Sequence, residues 1–136
     1  MADFPQLLHT VVDTPDVRGL AEFYRQLLGL KYRPGDETRP EGEDDADWLV
    51  LTDENGRRVL AFQHVEVLEQ TTWPASDVPM QMHLDFTVPD RASLEKQHRR
   101  ALALGAKLLF DRTADLDEPL YVYADPAGHP FCIFVG

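Results

Sequence analysis

The chain has 136 residues, with 13 lysines and arginines against 24 aspartates and glutamates, so its formal net charge at pH 7 is −11. A chain of this length buries roughly two-thirds of its unfolded surface and can form one compact domain without disulfides. The negative charge argues against nucleic acid and anionic membranes as partners, because both bind cationic surfaces. No apolar segment approaches the roughly 20 residues of a membrane-spanning helix, and the N-terminus lacks the pattern of a secretory signal. We therefore expect a single cytoplasmic domain.

Two segments have the composition of connections between structured regions. Residues 35–47 hold seven acidic residues against one arginine, with glycine and proline between them, and this composition predicts a solvated, mobile loop. The regular alternating ligands of a calcium-binding loop are absent from it. Residues 69–79 include two prolines and several small polar side chains, and we predict that they form a linker near the middle of the chain.

The sequence before the linker is repeated after it. The segment HTVVDTPD at 9–16 aligns with HLDFTVPD at 83–90, and each is followed by a helical pattern that ends in Gly-x-Lys. Later, DENG at 53–56 and DPAG at 125–128 each precede an apolar segment. Self-similarity of this length indicates a duplicated supersecondary unit. We predict two modules, at about residues 5–68 and 80–136.

Each module is predicted to contain one strand, one helix and three further strands. Apolar segments indicate the strands, while an Asp at the start and a Gly at the end mark each helix. In chain order we predict a strand at 7–12, a helix at 16–28, strands at 31–33, 48–52 and 58–65, and then a strand at 81–88, a helix at 90–104 and strands at 107–111, 120–124 and 131–135. Each helix should cover one face of a sheet and leave the other face free.

These elements resemble the vicinal oxygen chelate superfamily, which includes glyoxalases, bleomycin-resistance proteins and extradiol dioxygenases. The matching segments are LLHTVVDTPDVRGLAEFYRQLLGLKY, MHLDFTV, LGAKLLF and DPAGHPFCIF, which span nearly the whole chain apart from the acidic segment and the linker. The resemblance implies an α+β, glyoxalase-like fold, in which two tandem βαβββ modules form a partly open, barrel-like mixed sheet with the helices outside. It also implies a small-molecule ligand or substrate in the cleft, and a homodimer.

Enzymes of this superfamily hold a divalent metal with ligands from the first and last strands of each module. At the first-strand positions this sequence has His9 and His83. The last-strand positions, where the family usually has Glu, hold Cys132 in the second module and a non-acidic residue between Leu60 and Gln63 in the first. His9, His83 and Cys132 would still supply two imidazoles and one thiol to Zn, Ni, Fe or Mn. A buried cysteine, however, resists ionisation and is more often an ordinary core residue.

Strand alternation places a second set of polar side chains on one face. His83 and Asp85 share a face of their strand, and His9 and Asp13 share one in the first module. Because the apolar rows should pack on the helices, we expect the polar rows at the cleft. There His83 and Asp85 would be the catalytic acid–base pair of a metal-free reaction. The alternative is that the aspartates bond to nearby backbone amides, which we favour for Asp13.

Further side chains are predicted to line the cleft and bind the ligand together with His9. Phe62 and Phe134 take matching positions in the two last strands, and Gln63 is the polar residue beside Phe62. The remaining candidates are Trp48, Tyr121 and Tyr123. Aromatic residues also favour strands for packing reasons alone, so both roles stay open for them.

Two classes of function are consistent with these residues, besides a purely structural role. The non-acidic last-strand positions favour a protein that binds a small molecule without the usual full metal site. The histidine pair favours instead a metal-dependent lyase, isomerase or dioxygenase that uses His9 and His83 as ligands. The acidic chain favours a cationic or neutral ligand over an anionic one, through long-range attraction alone.

Overall fold

The computed structural model describes residues 3–38 and 44–136. The chain divides into two compact units, Met1–Val67 and Leu68–Gly136. Each unit contains one helix and one four-stranded sheet. Part of the acidic segment at 35–47, which was expected to form a mobile loop, lies outside the described residues, and its mobility stays a prediction.

The elements of each unit follow the βαβββ order expected from the repeat. The first unit contains β1 (Thr10–Thr14), α1 (Val17–Leu28), β2 (Lys31–Tyr32), β3 (Trp48–Thr52) and β4 (Arg58–His64), and the second contains β5 (Leu84–Val88), α2 (Arg91–Leu104), β6 (Lys107–Asp111), β7 (Leu120–Ala124) and β8 (Pro130–Val135). Because β1 and β5 begin later than the sequence pattern indicated, His9 and His83 each come just before a strand rather than within it.

Helix α1 begins and ends at the residues that its sequence marks. The Asp16 carboxylate accepts a hydrogen bond from the Gly19 amide and so satisfies one of the free donors of the first turn. At the other end Gly29 is left-handed, with φ of 68°, a conformation that glycine adopts without steric cost. One stripe of the helix is buried against the sheet and consists of Val17, Leu20, Ala21, Phe23, Tyr24 and Leu27.

Helix α2 has the same caps and a smaller apolar surface. The Asp90 carboxylate accepts from the Ser93 amide, and Gly105 ends the helix in the left-handed conformation. Only Leu94 and Ala101 are buried along it. Both helices thus have an aspartate cap at the start and a glycine at the end, and this repeated order made them recognisable in the sequence. Because α2 buries few apolar residues, part of its contact with the sheet is polar.

Both sheets are mixed and have the same strand order. In the first unit β1 pairs in parallel with β4, and β3 and β2 follow as antiparallel neighbours. In the second unit β5 pairs in parallel with β8, followed by β7 and β6. Within the described residues neither sheet closes on itself. This topology confirms the α+β class and the two tandem βαβββ modules. The face of each sheet opposite its helix is called the helix-free face below.

The first unit has a bulge between β3 and β4 that the second unit lacks. Leu51 pairs with Leu60 but Thr52 pairs with Arg58, which leaves Val59 without a partner. The corresponding ladder between β7 and β8 runs without interruption. Because of this extra residue, a residue in β4 after Val59 lies one position further from the preceding turn than its structural counterpart in β8.

The bulge corrects the expected match between the two last strands. Ala61 pairs with Val11 in the same way that Cys132 pairs with Asp85, so Ala61 is the counterpart of Cys132. By the same register the counterpart of Phe62 is Ile133 and not Phe134. Counting from the turn cannot reveal this, because an extra residue in a bulge leaves no clear signature in the sequence.

The segment expected to be a linker is folded onto the second unit. The Gln70 side chain donates to the Ala127 carbonyl over 2.9 Å. The Thr72 hydroxyl accepts from the Val78 amide and donates to the Ala75 carbonyl, which closes a compact turn around the cis peptide bond between Trp73 and Pro74. Residues 68–79 thus belong to the second unit rather than forming a free connection.

Candidate functional site

The helix-free face of the second unit carries three polar side chains next to one another. Asp85 and Cys132 are paired residues of the parallel strands β5 and β8, and His83 lies two residues before Asp85. One ligand atom from each of the three lies within 4.8 Å of the others. We call His83, Asp85 and Cys132 the polar group of the second unit. The alternation of polar and apolar residues in β5 predicted the common face of His83 and Asp85.

The three side chains differ in their access to solvent. Nε2 of His83 lies 3.2 Å from Oδ1 of Asp85, and the two side chains are 38% and 52% exposed. The Cys132 thiol is nearly buried. The imidazole and the carboxylate can therefore meet a ligand from solvent, and their separation allows a proton to pass between Nε2 and Oδ1.

The environment of Cys132 keeps its thiol protonated. Burial raises the pKa of Cys132 to about 11, and the negative charge of Asp85 and a hydrogen bond to that carboxylate act in the same direction. Because the thiolate is the form that attacks electrophiles and binds metals, Cys132 is unreactive at neutral pH in this state.

Trp73 adds an aromatic surface beside His83. The two rings are nearly parallel, at 18°, with centroids 6.5 Å apart. Phe110 of β6 meets Trp73 edge to face, with a centroid distance of 6.3 Å. The Trp73 amide donates to the Thr71 hydroxyl, which helps to fix the indole. The position of Trp73 beside His83 depends on how residues 68–79 fold onto the second unit, so the sequence pattern alone does not reveal it.

The helix-free face of the first unit has fewer polar donors. At the positions that correspond to Asp85 and Cys132 it has Val11 and Ala61. His9 lies beside Trp48, with ring centroids 5.9 Å apart and an angle of 56°. Gln63, an exposed residue on this face, donates a long hydrogen bond of 3.5 Å to Asp13. The first unit therefore matches the second only in its histidine, and both histidines contact a tryptophan.

His9 has an unusual environment. Its Nδ1 is the one buried side-chain nitrogen or oxygen without a hydrogen-bond partner in the part of the chain that the structure describes. Burial lowers the pKa of His9, and the positive charges of Arg58 and Arg33 lower it further. The imidazole is accordingly neutral at pH 7.

Three of the expected ligand-binding aromatics lie on the opposite faces, against the helices. Phe62 is fully buried and stacks on Tyr24 of α1 at 6.0 Å. Tyr121 stacks on His98 of α2 at 3.8 Å, and Tyr123 shares a 2.7 Å hydrogen bond with Nδ1 of the same histidine. These three side chains therefore pack the sheets against the helices and do not share a face with the polar group.

The last expected ligand-binding residue, Phe134, does lie on the helix-free face. It pairs with Thr87 of β5 and follows Cys132 by two residues, so the two side chains point the same way. Phe134 is half-buried. The helix-free face of the second unit thus combines a polar group with aromatic surface from Phe134 and Trp73.

The donor set of the polar group suits a divalent metal of borderline softness. A tetrahedral zinc ion binds nitrogen, oxygen and thiolate ligands at roughly 2.0–2.3 Å, so its ligand atoms lie about 3.5 Å apart. The atoms of His83, Asp85 and Cys132 lie within 4.8 Å of one another, so they would have to move closer together to hold an ion. The thiol would have to lose its proton first.

Each of the two units has the βαβββ order of a glyoxalase-like module, and the second carries the polar group on its helix-free face. The family model described as a glyoxalase-like domain matches residues 9–134. The chain belongs to this family, within the vicinal oxygen chelate superfamily. No curated protein sequence matches the chain significantly.

Solved structures of the same superfamily share the fold. An enzyme of the glyoxalase, bleomycin resistance and dioxygenase family from Burkholderia phytofirmans is 21% identical, with a TM-score of 0.67 over 94% of this chain and 96% of that one. A fosfomycin resistance protein from Listeria monocytogenes is 13% identical, with a TM-score of 0.68 over 98% and 92%. A lactoylglutathione lyase from Agrobacterium tumefaciens is 16% identical, with a TM-score of 0.61 over 99% and 96%. At these low sequence identities, the similarity shows that the proteins share a fold.

Proposed function

We propose that this protein binds a small molecule on the helix-free faces of its sheets, without the complete metal centre of the superfamily. The observation that carries the proposal is the polar group of the second unit, in which His83 and Asp85 are exposed side by side on a sheet face. Small-molecule sites are mostly apolar, with a few polar side chains that orient the ligand. Trp73 and Phe134 supply the apolar surface here, and His83 with Asp85 supplies the polar contacts.

The first unit supports the part of the proposal that concerns the metal. Its counterparts of Asp85 and Cys132 are Val11 and Ala61, which offer no ligand atoms. A metal centre that takes one ligand from the last strand of each module therefore lacks the ligand from β4, where Ala61 stands. In the second unit the raised pKa of Cys132 opposes metal binding further, because the thiolate is the binding form.

A metal-dependent lyase, isomerase or dioxygenase is the second candidate, and the close approach of three donor atoms favours it. His83, Asp85 and Cys132 would hold the ion, with His9 as the ligand expected from the first module. A bound divalent metal would act as a Lewis acid that polarises a substrate oxygen. The chain's own part would be to fix the imidazole through Trp73 and to keep apolar side chains around the substrate.

Elemental analysis of untagged protein, purified without chelator, separates the two candidates. The reference is the double variant His9→Ala/His83→Ala. The proposed binding function predicts no zinc, nickel, iron or manganese above the level of the variant. Near-stoichiometric metal that disappears in the variant would overturn the metal-free proposal and support the metal site that the second candidate requires.

Ligand binding is tested by thermal shift and calorimetry with compounds chosen from the superfamily. Bleomycin and fosfomycin are suitable probes, since resistance to them is what related structures are named for. We expect a stabilising compound to lose its effect in Asp85→Asn. Asp117→Asn removes the same charge at an exposed site and is the matched control. Equal loss in both variants would contradict a role for Asp85.

We also propose that the protein is a cytoplasmic homodimer. Within the described residues β1, β2, β5 and β6 are edge strands, and pairing between copies would protect such edges. None of the described helices is long and apolar enough to cross a membrane. Light scattering coupled to size-exclusion chromatography tests the dimer, and a monomer at micromolar concentration would contradict it.

A further inference from the structure

The helix-free face of the second unit holds one continuous row of side chains. Asp85 of β5 pairs with Cys132 of β8, which pairs with Val122 of β7. Val122 in turn pairs with Phe110 of β6. Because paired residues of neighbouring strands point to the same side of a sheet, all four side chains lie on the face that carries Asp85. The row therefore runs from one outer strand of the sheet to the other.

Trp73 reaches across this row. The centroid of its ring is 6.5 Å from that of His83, which comes just before β5, and 6.3 Å from that of Phe110 on β6. These two contacts belong to opposite edges of the sheet, so the indole lies over the strands between them. Cys132 and Val122, in the middle of the row, are nearly buried although they face away from α2. Trp73 is part of their cover.

The chain holds Trp73 in this position without a ligand. The Gln70 side chain donates to the Ala127 carbonyl, and the Trp73 amide donates to the Thr71 hydroxyl. A group that is already in place costs less to use in binding than one that must first be ordered. Trp73 is half-buried, so part of its ring remains accessible. An accessible indole ring offers a surface for aromatic groups and for cations.

Asp85 is the exposed hydrogen-bond acceptor beside the indole. Its side chain is 52% exposed, and Nε2 of His83 approaches one of its oxygens at 3.2 Å. A carboxylate can accept about four hydrogen bonds through its two oxygens, so it retains positions for the donors of a ligand. Among the described residues, no lysine or arginine forms an ion pair with Asp85. Its negative charge is therefore available to a cation from solution.

The other charges on this side of the unit do not favour an anion. Arg112 and Glu118 both act on Cys132, and their effects have opposite signs. Lys107 pairs with Ala124 on β6, the strand at the opposite edge of the sheet from Asp85. The net charge of −11 adds a long-range attraction for cations.

We propose that Asp85 and Trp73 select an organic cation, in which an ammonium or guanidinium group is joined to an aromatic ring by a short chain. The inference rests on the proposed binding function and adds the chemical class of the ligand. The cationic group donates a charge-assisted hydrogen bond to the Asp85 carboxylate. The aromatic ring packs against the accessible part of the indole, whose neighbour His83 lies within 3.2 Å of that carboxylate.

The experiment compares 2-phenylethylamine, 2-phenylethanol and phenylacetate, which share a phenyl ring and end in an ammonium, a hydroxyl and a carboxylate. Each is titrated into metal-depleted protein at pH 7.5 and constant ionic strength. The readout is the indole N–H signal of Trp73 in NMR, which the variant Trp48→Phe distinguishes from the signal of the other tryptophan. We expect the amine to bind about tenfold or more tightly than the alcohol, because a hydrogen bond to a charged group contributes about that factor. Phenylacetate should bind most weakly.

Asp85→Asn should raise the dissociation constant of the amine about tenfold and change that of the alcohol less than twofold. Asp117→Asn is the matched control, which removes the same charge at an exposed site and should leave both constants unchanged. Equal losses in the two variants, or an amine that binds no more tightly than the alcohol, would overturn the proposed selectivity. Because the three probes are compared on the wild-type protein, the test stays valid if a variant folds poorly.

Two variants test the part of Trp73. Trp73→Leu keeps an apolar side chain without an aromatic face, and we expect it to weaken the amine more than the alcohol. Trp73→Phe restores an aromatic face and should recover most of the lost affinity. If Trp73→Leu weakened both probes equally and Trp73→Phe recovered nothing, the role of the indole would be refuted.

Failure of this inference can be distinguished from failure of the proposed function. A neutral or anionic compound that binds through Asp85 at least as tightly as the amine would refute the selectivity and leave the binding function standing. Absence of saturable binding by every compound tested, charged or neutral, would contradict the binding function itself.

Discussion

The Asp85 carboxylate and the Cys132 thiol face each other as register partners on parallel strands, and the carboxylate accepts the thiol's hydrogen bond. Together with burial, this contact raises the pKa of Cys132 to about 11. The thiol is therefore stored in its protonated form next to the two exposed polar side chains. The rate at which the Cys132 thiol reacts with an alkylating agent should therefore depend on the charge of Asp85.

Asp85→Asn should make Cys132 more reactive. The substitution removes a negative charge that opposes the thiolate, so the pKa of Cys132 falls toward its ordinary value while burial continues to hold it up. We expect faster alkylation by iodoacetamide at pH 8–9 in the variant, measured by mass spectrometry as a function of pH. Asp117→Asn should alkylate at the wild-type rate. A pH profile unchanged by Asp85→Asn would show that the carboxylate does not control the thiol.

The stability of the protein should decrease on acidification through protonation of His9. The folded protein has a lowered pKa at His9, so near and below pH 6.5 the unfolded chain binds more protons than the folded one. The free energy of unfolding consequently falls as the pH falls below this value. Urea titrations at pH 7.5 and 5.5 should show a smaller difference for His9→Gln than for the wild type.

The pKa of His9 should also depend on the charge of Arg58. Arg58→Gln should raise the pKa of His9, because one of the two positive charges that lower it is removed. Burial persists, so the value should stay below that of a solvated histidine. NMR titration of the His9 imidazole checks this, and Arg57→Gln should give a smaller change.

The two last-strand phenylalanines should differ in their effect on stability. Phe62→Ala empties a fully buried site against Tyr24 and should cost about 3–5 kcal/mol. Phe134→Ala should cost less than half of this, because Phe134 is half-buried on the helix-free face. Urea denaturation of both variants measures the difference. Equal losses would contradict the assignment of the two rings to opposite faces.

The N-terminal cap of α1 should contribute a measurable amount. Asp16→Ala leaves the Gly19 amide without its acceptor and should lower the free energy of unfolding by about 1 kcal/mol. Asp117→Ala, at an exposed turn, is the comparison and should have little effect. A loss of the same size in both would mean that the cap is not what stabilises the helix start.

The sequence predicted the elements well because their ends carry local signals. Asp16 and Asp90 accept the expected capping hydrogen bonds at the starts of the helices, and Gly29 and Gly105 end the helices in the left-handed conformation. The polar alternation in β5 also predicted the correct face for Asp85. Such signals depend on a few neighbouring residues, so they can be identified without knowing the rest of the fold.

The faces of the other strands could not be predicted in the same way. In β7 the apolar character is continuous, LYVYA, and Tyr121 and Tyr123 give no sign of which face meets the helix. In β4 the bulge at Val59 changes the register after the turn, so counting alone cannot identify Ala61 as the counterpart of Cys132. Both are consequences of pairing between strands, which a linear pattern does not contain.

The attachment of residues 68–79 to the second unit moves the boundary between the two repeats. Gln70 and Trp73 contact the second unit, so the unit begins near Leu68 although the repeat in the sequence begins near residue 80. A protein engineer who wished to exchange one module for a homologous one would have to transfer these residues with the second. A chimera joined at residue 80 would separate His83 from the indole that lies against it.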